Sequence, residues 1–347
     1  MTNYFSKHLE DKTLPRILQI ENNLHVAAFW LMKLVVARNI IKNALDEGRL
    51  VPGGRVIEST SGTMGYGLAM AARAYGVKLT LVGDPAIDVA LKNLLEELGA
   101  DVHIVTTPAP TGGYQKPRLQ LVSEMLRDDP TMFWVRQYDN SHNPAAYRES
   151  AEAMVAKLRQ VDILVAAVGS GGSISGLARF LRAAGQSPRV LAVDTPRSVL
   201  FGQQDGSRML RGLGNSIFPK NLDYSQVDEV HWVSAAQAFC ATRYMLHHYG
   251  LDLGATSGAA FLVARHLARQ HPDKRVVFVS PDRAERYLTT VYSKEWCLEN
   301  NAYASELLEQ PEVLEHPQEA GGEWSMFNWN RRSLHEVSQT EEVLCAA

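Results

Sequence analysis

Residues 165–176 read VAAVGSGGSISG, an apolar run that empties into glycines and hydroxyls. Such a run ends a buried strand and opens a helix. The N–H groups of the first helical turn have no partner inside the helix, so they can hold an anion. The alternative is a plain, tight strand–helix turn. Spacing narrows the choice of anion. A dinucleotide turn needs G-x-G-x-x-G; from Gly169 the chain runs G-S-G-G-S-I, with Ile174 where the third glycine belongs. Gly171 to Gly176 fit the glycines of a nucleotide P-loop, but Leu177 stands where its lysine must be. What survives is a compact nest of N–H donors with the Ser170 and Ser173 hydroxyls, suited to one small phosphate rather than a pyrophosphate.

Outward from this turn the chain alternates. RVIE (55–58), KLTLVG (78–83), DVHIV (101–105), DILVAAVG (162–169), RVLAVD (189–194), DEVHWV (228–233) and RVVFVS (275–280) read as short strands. Between them lie helical stretches such as YGLAMAARAYG (66–76), AIDVALKNLLEELG (86–99), AQAFCATRYMLHHYG (236–250) and GAAFLVARHLARQ (258–270), several closed by glycine. Apolar runs of this length separated by helices are parallel strands buried on both faces. The class is α/β, doubly wound. TTPAPTGGYQKPR (106–118) breaks the rhythm and reads as a surface loop or lid. Beyond about residue 298 the alternation stops; 299–347 reads as a polar tail in which only EWSMFNW (323–329) has the composition to dock.

Composition excludes several classes. The 347 residues suffice for two domains, and 46% hydrophobic with 21% charged residues is ordinary globular usage. A net charge of −3 gives no reason to expect nucleic acid or an anionic membrane as partner. No run reaches the roughly 20 apolar residues that span a bilayer, and the N-terminus lacks the apolar core of a signal peptide. Cys240, Cys297 and Cys345 lie far apart, without a CxxC pair, which points to incidental thiols in a reducing compartment, the cytoplasm. Adjacent His247 and His248 cannot share one helix face around a metal, Glu96 and Glu97 read as a solvated helix face, and no metal site is expected.

Three further turns share the character of the first: ESTSGTMG (58–65), QYDNSHNP (137–144) and GATSGAA (254–260). In a doubly wound sheet, turns at the carboxyl ends of strands converge on one crevice. One turn for a phosphate, one presenting N–H and hydroxyl donors, and one offering a hydroxyl is how a site for pyridoxal 5'-phosphate divides its labour.

Residues from about 33 to 297 resemble the cysteine synthase and cystathionine β-synthase-like family of pyridoxal-phosphate enzymes, of the tryptophan synthase β-like fold (fold type II). The motifs recur in family order. ESTSGTMG stands for the substrate loop T-S-G-N-T-G, QYDNSHNPAAY for Q-F-x-N-P-x-N-P, and GSGGSISG for the phosphate loop G-T-G-G-T. RGLGNSIFPKNLD (211–223) stands for G-I-G-x-x-x-x-P, GATSGAA for G-I-S-S-G-A-A, and SPDRAERYLTTVY for P-x-x-G-E-R-Y-L-S-T. The stretch from RYLTTVY to EWC is also similar to the branch that makes 2,3-diaminopropionate precursors from O-phosphoserine and glutamate.

The resemblance implies two doubly wound domains with mostly parallel sheets: a large cofactor-binding one from 1–44 and 151–298, and a small mobile one from 45–150. It implies a homodimer, and a small-molecule amino-acid substrate and nucleophile as partners. It implies β-replacement or β-elimination on a serine derivative such as O-acetylserine or O-phosphoserine, through α-aminoacrylate, giving cysteine or another β-substituted alanine. The cofactor phosphate falls to Gly169, Ser170, Gly171, Gly172 and Ser173, and its ring nitrogen to Thr256, whose neutral hydroxyl leaves that nitrogen largely unprotonated. The substrate falls to Thr60, Ser61, Gly62, Met64, Gln137 and Gly212.

Two departures stand out. The family's lysine motif N-P-x-G-S-x-K is absent. Alignment of the following helix puts Lys33 in its place, behind VAAFWLM, with the solvated Lys42 and Lys78 as fallbacks. A lysine there either snorkels or, desolvated, becomes the imine-forming base. In the substrate loop, Thr63 and Met64 replace an asparagine that meets the cofactor and a threonine that meets the carboxylate. Thr63 can still donate; Met64 cannot and softens the pocket. Asp282, where the family commonly has serine, reads first as a cap on a helix AERYLTTVY (284–292). Arg118, Arg136 and Arg148 are candidates for a second substrate carboxylate, or surface residues. The competing function is a partner or binding subunit that keeps this fold without its chemistry.

Overall fold

The computed structural model describes residues 4–109, 113–210 and 212–338. The chain forms two compact units, Met1–Leu14 with Leu31–Ala146 and Pro15–Trp30 with Tyr147–Ala347.

In the first unit, α1 (Tyr4–Glu10) precedes α2 (Met32–Asp46), and four strands form an all-parallel sheet. These are β3 (Arg55–Ser59), β4 (Lys78–Gly83), β5 (Ala100–Ile104) and β6 (Phe133–Trp134), in the order β5-β4-β3-β6. The connections carry α3 (Thr63–Tyr75), α4 (Val89–Glu97) and α5 (Gln115–Asp128), with the short α6 (His142–Ala145) following β6. Local chemistry sets the ends. The Asp88 side chain accepts from Leu91 N–H at the start of α4, and Gly76 closes α3 in the left-handed region at φ 66°. On α2 the buried positions Leu34, Val36, Ala37, Ile40, Ile41 and Ala44 repeat at three-and-four spacing.

The second unit holds, among the described residues, an eight-stranded sheet in the order β1-β2-β10-β7-β8-β9-β12-β11. The strands are β1 (Arg16–Gln19), β2 (Leu24–Ala28), β7 (Ile163–Ala167), β8 (Arg189–Asp194), β9 (Glu229–Val233), β10 (Val276–Ser280), β11 (Glu312–Val313) and β12 (Trp324–Asn328). From β2 to β9 the neighbours are parallel; the β1–β2 hairpin and the β9–β12 pair are antiparallel. The helices are α7 (Arg148–Leu158), α8 (Gly172–Ala183), α9 (Ala235–Tyr249), α10 (Ala255–Gln270) and α11 (Lys294–Glu299). Strands β9 and β10 are buried along their whole length, as runs covered on both faces must be.

The structure departs from the sequence reading in five places. Residues 1–14 and 31–44, expected in the larger domain, cluster with the smaller unit, where α1 and the apolar face of α2 pack on α3. Residues 16–28 form a hairpin that strand signals did not reveal; β1 has no fully buried residue and finds its sheet only through β2, which pairs with β10. The stretch 106–118 is not loop throughout: Gln115 onward is helix, and 110–112 lie outside the described residues. The tail is only partly a tail. β12 and, at the edge, β11 extend the sheet beyond β9, with Trp324 and Trp329 buried, while 339–347, including Cys345, lie outside the described residues. Finally, 284–292 is not a helix: a single 3-10 turn at Ala284–Arg286 gives way to turns, and Asp282 caps nothing there.

Cys240 and Cys297 are buried free thiols. Among the described residues no helix is long and apolar enough to cross a membrane, and no three metal-ligating side chains come together.

Candidate active site

In the smaller unit the substrate-loop residues gather at the carboxyl end of β3. Lys33 stands in the first turn of α2, whose N-cap, Leu31, has no capping side chain. Gly67 of α3 lies against it: a Cβ at Gly67 would come within 2.8 Å of the Lys33 carbonyl carbon and oxygen. Burial pulls the Lys33 amine down to about 8, with Glu58 acting in the opposite direction. The fallbacks differ: Lys42 is an exposed partner of Asp46 at 2.6 Å, and Lys78 is exposed.

Glu58, 1% exposed at the end of β3, was not assigned a role from sequence. It accepts from Ser59 N–H at 2.7 Å and Gln137 N–H at 3.0 Å. Burial pushes its carboxyl up to about 7, against the pull of those two amides. A charged residue inside the buried strand RVIES was the available signal.

The loop from Thr60 to Met64 is held from inside. Thr60 Oγ1 accepts from Gly62 N–H at 3.2 Å, and the Gln137 amide donates to Ser59 carbonyl at 3.1 Å. Asn143 in turn donates to the Gln137 carbonyl at 2.7 Å. Gly62 caps α3 without a side-chain bond, leaving the first-turn N–H groups as donors at Thr63 and beyond. Met64 is buried within the unit rather than presented as a polar contact.

Arg118 is not on the surface. Its side chain is 11% exposed, pairs with Asp84 at 3.3 Å and donates to Ser61 Oγ, while Nε is buried without a partner. Arg136 is an exposed partner of Asp139, and Arg148 lies 4.5 Å from the Phe180 ring centroid.

In the larger unit the phosphate turn leaves β7 and enters α8. Gly171 takes φ 77° as N-cap of α8, with no side-chain cap, so the first-turn amides are open to an anion. The glycines are required by close approach. A Cβ on Gly169 would lie 2.8 Å from the Gly212 carbonyl oxygen, and one on Gly171 would lie 2.6 Å from Leu222. The 212–222 stretch clasps this turn: Gly214 N–H donates to Val168 carbonyl at 2.8 Å, and Asn215 Nδ2 donates to Gly169 carbonyl at 3.2 Å. Gly212, at φ 82°, also reaches Thr256, whose methyl would be 3.9 Å from a Cβ there. Gly169–Ser173, Gly212 and Thr256 therefore come together, with the Ser170 and Ser173 hydroxyls nearly buried.

Thr256 Oγ1, in the first turn of α10, is buried with no hydrogen-bond partner. A lone buried hydroxyl beside an uncapped, glycine-lined helix start fits the ring and phosphate of pyridoxal phosphate, which supply an acceptor nitrogen and a dianion.

Fold and residues thus define a pyridoxal-phosphate enzyme of fold type II. Residues 28–282 match the family profile described as "Pyridoxal-phosphate dependent enzyme", and the chain belongs to that family. It is 39% identical over 263 residues to N-(2-amino-2-carboxyethyl)-L-glutamate synthase of Ralstonia nicotianae, covering 75% of this chain and 78% of the relative. It is 37% identical over 266 residues to the synthase of that name from Cupriavidus metallidurans, with the same coverage, 75% and 78%. Among solved structures, cysteine synthase from Entamoeba histolytica matches with a TM-score of 0.74 at 25% identity, over 85% of this chain and 94% of that one. The chain is an enzyme that uses pyridoxal phosphate for β-replacement on a serine-derived amino acid.

Proposed function

We propose that this enzyme couples a serine derivative carrying a leaving group at Cβ, O-phosphoserine or O-acetylserine, to the amino group of glutamate, giving N-(2-amino-2-carboxyethyl)-L-glutamate. Two relatives bear the name of that product at 39% and 37% identity. One structural observation carries the acidic nucleophile: Arg118, nearly buried beside Ser61 of the substrate loop, keeps an unpartnered Nε. A guanidinium with a free donor edge beside the substrate loop suits a second carboxylate that sulfide does not have.

The residues divide the work as follows. Lys33 Nζ is the amine that would hold the cofactor's aldehyde carbon and, once the donor's amino group displaced it, would move the proton of the donor's Cα and return one to the product. An amine near 8 has a usable neutral fraction at neutral pH, and Glu58 behind it keeps the protonated form accessible. Gly169, Ser170, Gly171, Gly172 and Ser173 hold the phosphate through N–H groups and hydroxyls. Thr256 meets the ring nitrogen, and Thr63 offers a donor to the ring's phenolic oxygen. The N–H groups at Thr63 and Met64 would take the donor's carboxylate, in a loop shaped by Thr60, Ser61, Gly62 and Gln137, and Gly212 is a further candidate for the substrate. Bound pyridoxal phosphate supplies the electron sink at Cα. The Cβ–O bond breaks with its electron pair on the leaving group, and the glutamate nitrogen forms the new bond to Cβ and sheds a proton.

The absence of any CxxC pair and the two buried free thiols support a cytoplasmic enzyme, and the family resemblance supports a homodimer. The test of the reaction is product analysis by mass spectrometry. The holoenzyme is supplied with O-phosphoserine or O-acetylserine and with glutamate or sulfide. Coupling to glutamate is expected. Cysteine from sulfide, with no glutamate adduct from either donor, would move the chain to cysteine synthesis.

A further inference from the structure

Asn215 stands at an open position of the pattern G-I-G-x-x-x-x-P, yet it is 7% exposed and bonded on every side. Its N–H donates to Ser198 Oγ at 3.1 Å, and its carbonyl accepts from Val199 N–H at 3.0 Å. Oδ1 accepts from Ser216 N–H at 2.9 Å and from Ile217 N–H at 3.3 Å. Nδ2 donates to the Gly169 carbonyl at 3.2 Å. Two N–H groups at one end of the amide and a carbonyl at the other decide which end is oxygen and which is nitrogen.

Peptide geometry gives this contact its consequence. In a trans peptide the carbonyl and the N–H of the next residue point to opposite sides, and the described residues contain no cis peptide. Gly214 N–H holds the Val168 carbonyl at 2.8 Å, and Asn215 holds that of Gly169. Both carbonyls therefore face the 212–216 stretch. The N–H groups across the same two peptides, those of Gly169 and Ser170, face away from it. A peptide turned the other way would offer an oxygen where an anion needs a donor. Glycine resists such a turn less than any other residue, and the run GSGG (169–172) has three of them.

We propose that Asn215 is a positioning residue for the cofactor phosphate: by holding the Gly169 carbonyl it keeps the Ser170 N–H turned towards the anion. This rests on the placement of the phosphate at Gly169–Ser173. An amide suits the task because it accepts at one end and donates at the other, whereas an ionised aspartate of the same shape only accepts. The restraint continues into the loop after β8. Ser198 Oγ also accepts from Leu200 N–H at 3.4 Å, and Arg208 donates to Ser216 Oγ.

The test compares pyridoxal phosphate with pyridoxal, which has the same ring and aldehyde but no phosphate. The full chain is stripped, reloaded and titrated by visible absorbance. Asn215→Asp keeps the bonds to Ser216 and Ile217 and loses the donor. It is expected to weaken pyridoxal phosphate binding about ten- to a hundredfold and to leave pyridoxal binding unchanged. Asn215→Ala should show the same phosphate-specific loss. Equal losses for both ligands would make Asn215 a structural residue only, and no loss for either would remove it from the site; each overturns the proposal. The side-chain amide resonance of Asn215 in the wild-type holoenzyme supplies a measurement that needs no variant. It should differ between the two loaded forms, and identical resonances overturn the proposal even if neither variant folds. The reading it rests on fails separately. A wild type that binds pyridoxal as tightly as pyridoxal phosphate, with no change in that ratio in a Ser170→Ala, Ser173→Ala double variant, would take the phosphate away from this turn.

Discussion

Gly67 and Lys33 meet backbone to side: a methyl group at Gly67 would lie 2.8 Å from the carbonyl of the residue proposed to carry the cofactor. Helix α3 begins at the substrate loop and α2 bears the lysine, so one glycine sets the distance between the two. Gly67→Ala must push the helices apart. It should cost about 1–3 kcal/mol in chemical denaturation and reduce the absorbance of bound cofactor. Unchanged stability and unchanged absorbance would show that α2 and α3 are not held in this way.

Lys33 also predicts a pH dependence in the cofactor-free protein. Its amine is lowered to about 8 from an ordinary 10.5. Between those values the unfolded chain binds more protons than the folded one, so this group makes stability rise with pH from about 8 to 10.5. Lys33→Met should flatten that limb of a stability–pH profile.

Glu58 gives the opposite slope at lower pH. Its folded value of about 7 lies above the ordinary 4.5, so its contribution falls as pH rises from about 4.5 to 7. Glu58→Gln should remove that fall. Because Glu58 is the group that holds the Lys33 amine up, the variant should also move the alkaline limb to lower pH.

Arg118→Lys keeps the charge and loses the planar fork. With glutamate as nucleophile, its KM should rise about ten- to a hundredfold while the KM for the serine-derived donor holds. Equal rises for both would mean that Arg118 only braces the loop through Ser61 and Asp84.

The last strand belongs to the fold. Trp324 is 2% exposed and donates from Nε1 to His231 Nδ1 at 3.2 Å, joining β12 to β9. Trp324→Ala should cost about 3–5 kcal/mol by denaturant titration. A change within about 0.5 kcal/mol would return residues 299–338 to the status of a tail.

Much of this was legible in the chain because the signals are local. KLTLVG and RVLAVD are strands at those residues, and glycines stop α3 and α9 where they stand in the sequence. What escaped is non-local. β1 and β2 have their sheet only through β10, at the other end of the chain. The strand around Trp324 reads as polar tail until β9 is there to pair with it. ERYLTTVY has helical spacing, yet Tyr287 spends its hydroxyl on Asp282 and the backbone turns back at Thr290 and Tyr292. At the candidate site, the motif order singled out the glycine turn, Thr256 and the substrate loop as candidates. It could not show that Thr60 is consumed by Gly62, that Arg118 is buried, or that a buried Glu58 acts on the lysine amine. Those facts depend on burial, which a single sequence encodes only indirectly.

The central claim is that Lys33 carries the cofactor. Its most direct test is the visible absorption spectrum of the purified enzyme beside a Lys33→Ala variant, each after addition of pyridoxal phosphate and dialysis. A yellow wild type whose visible band is absent from the variant is the predicted result. A variant that keeps the wild-type band through dialysis would contradict it and send the search to another lysine.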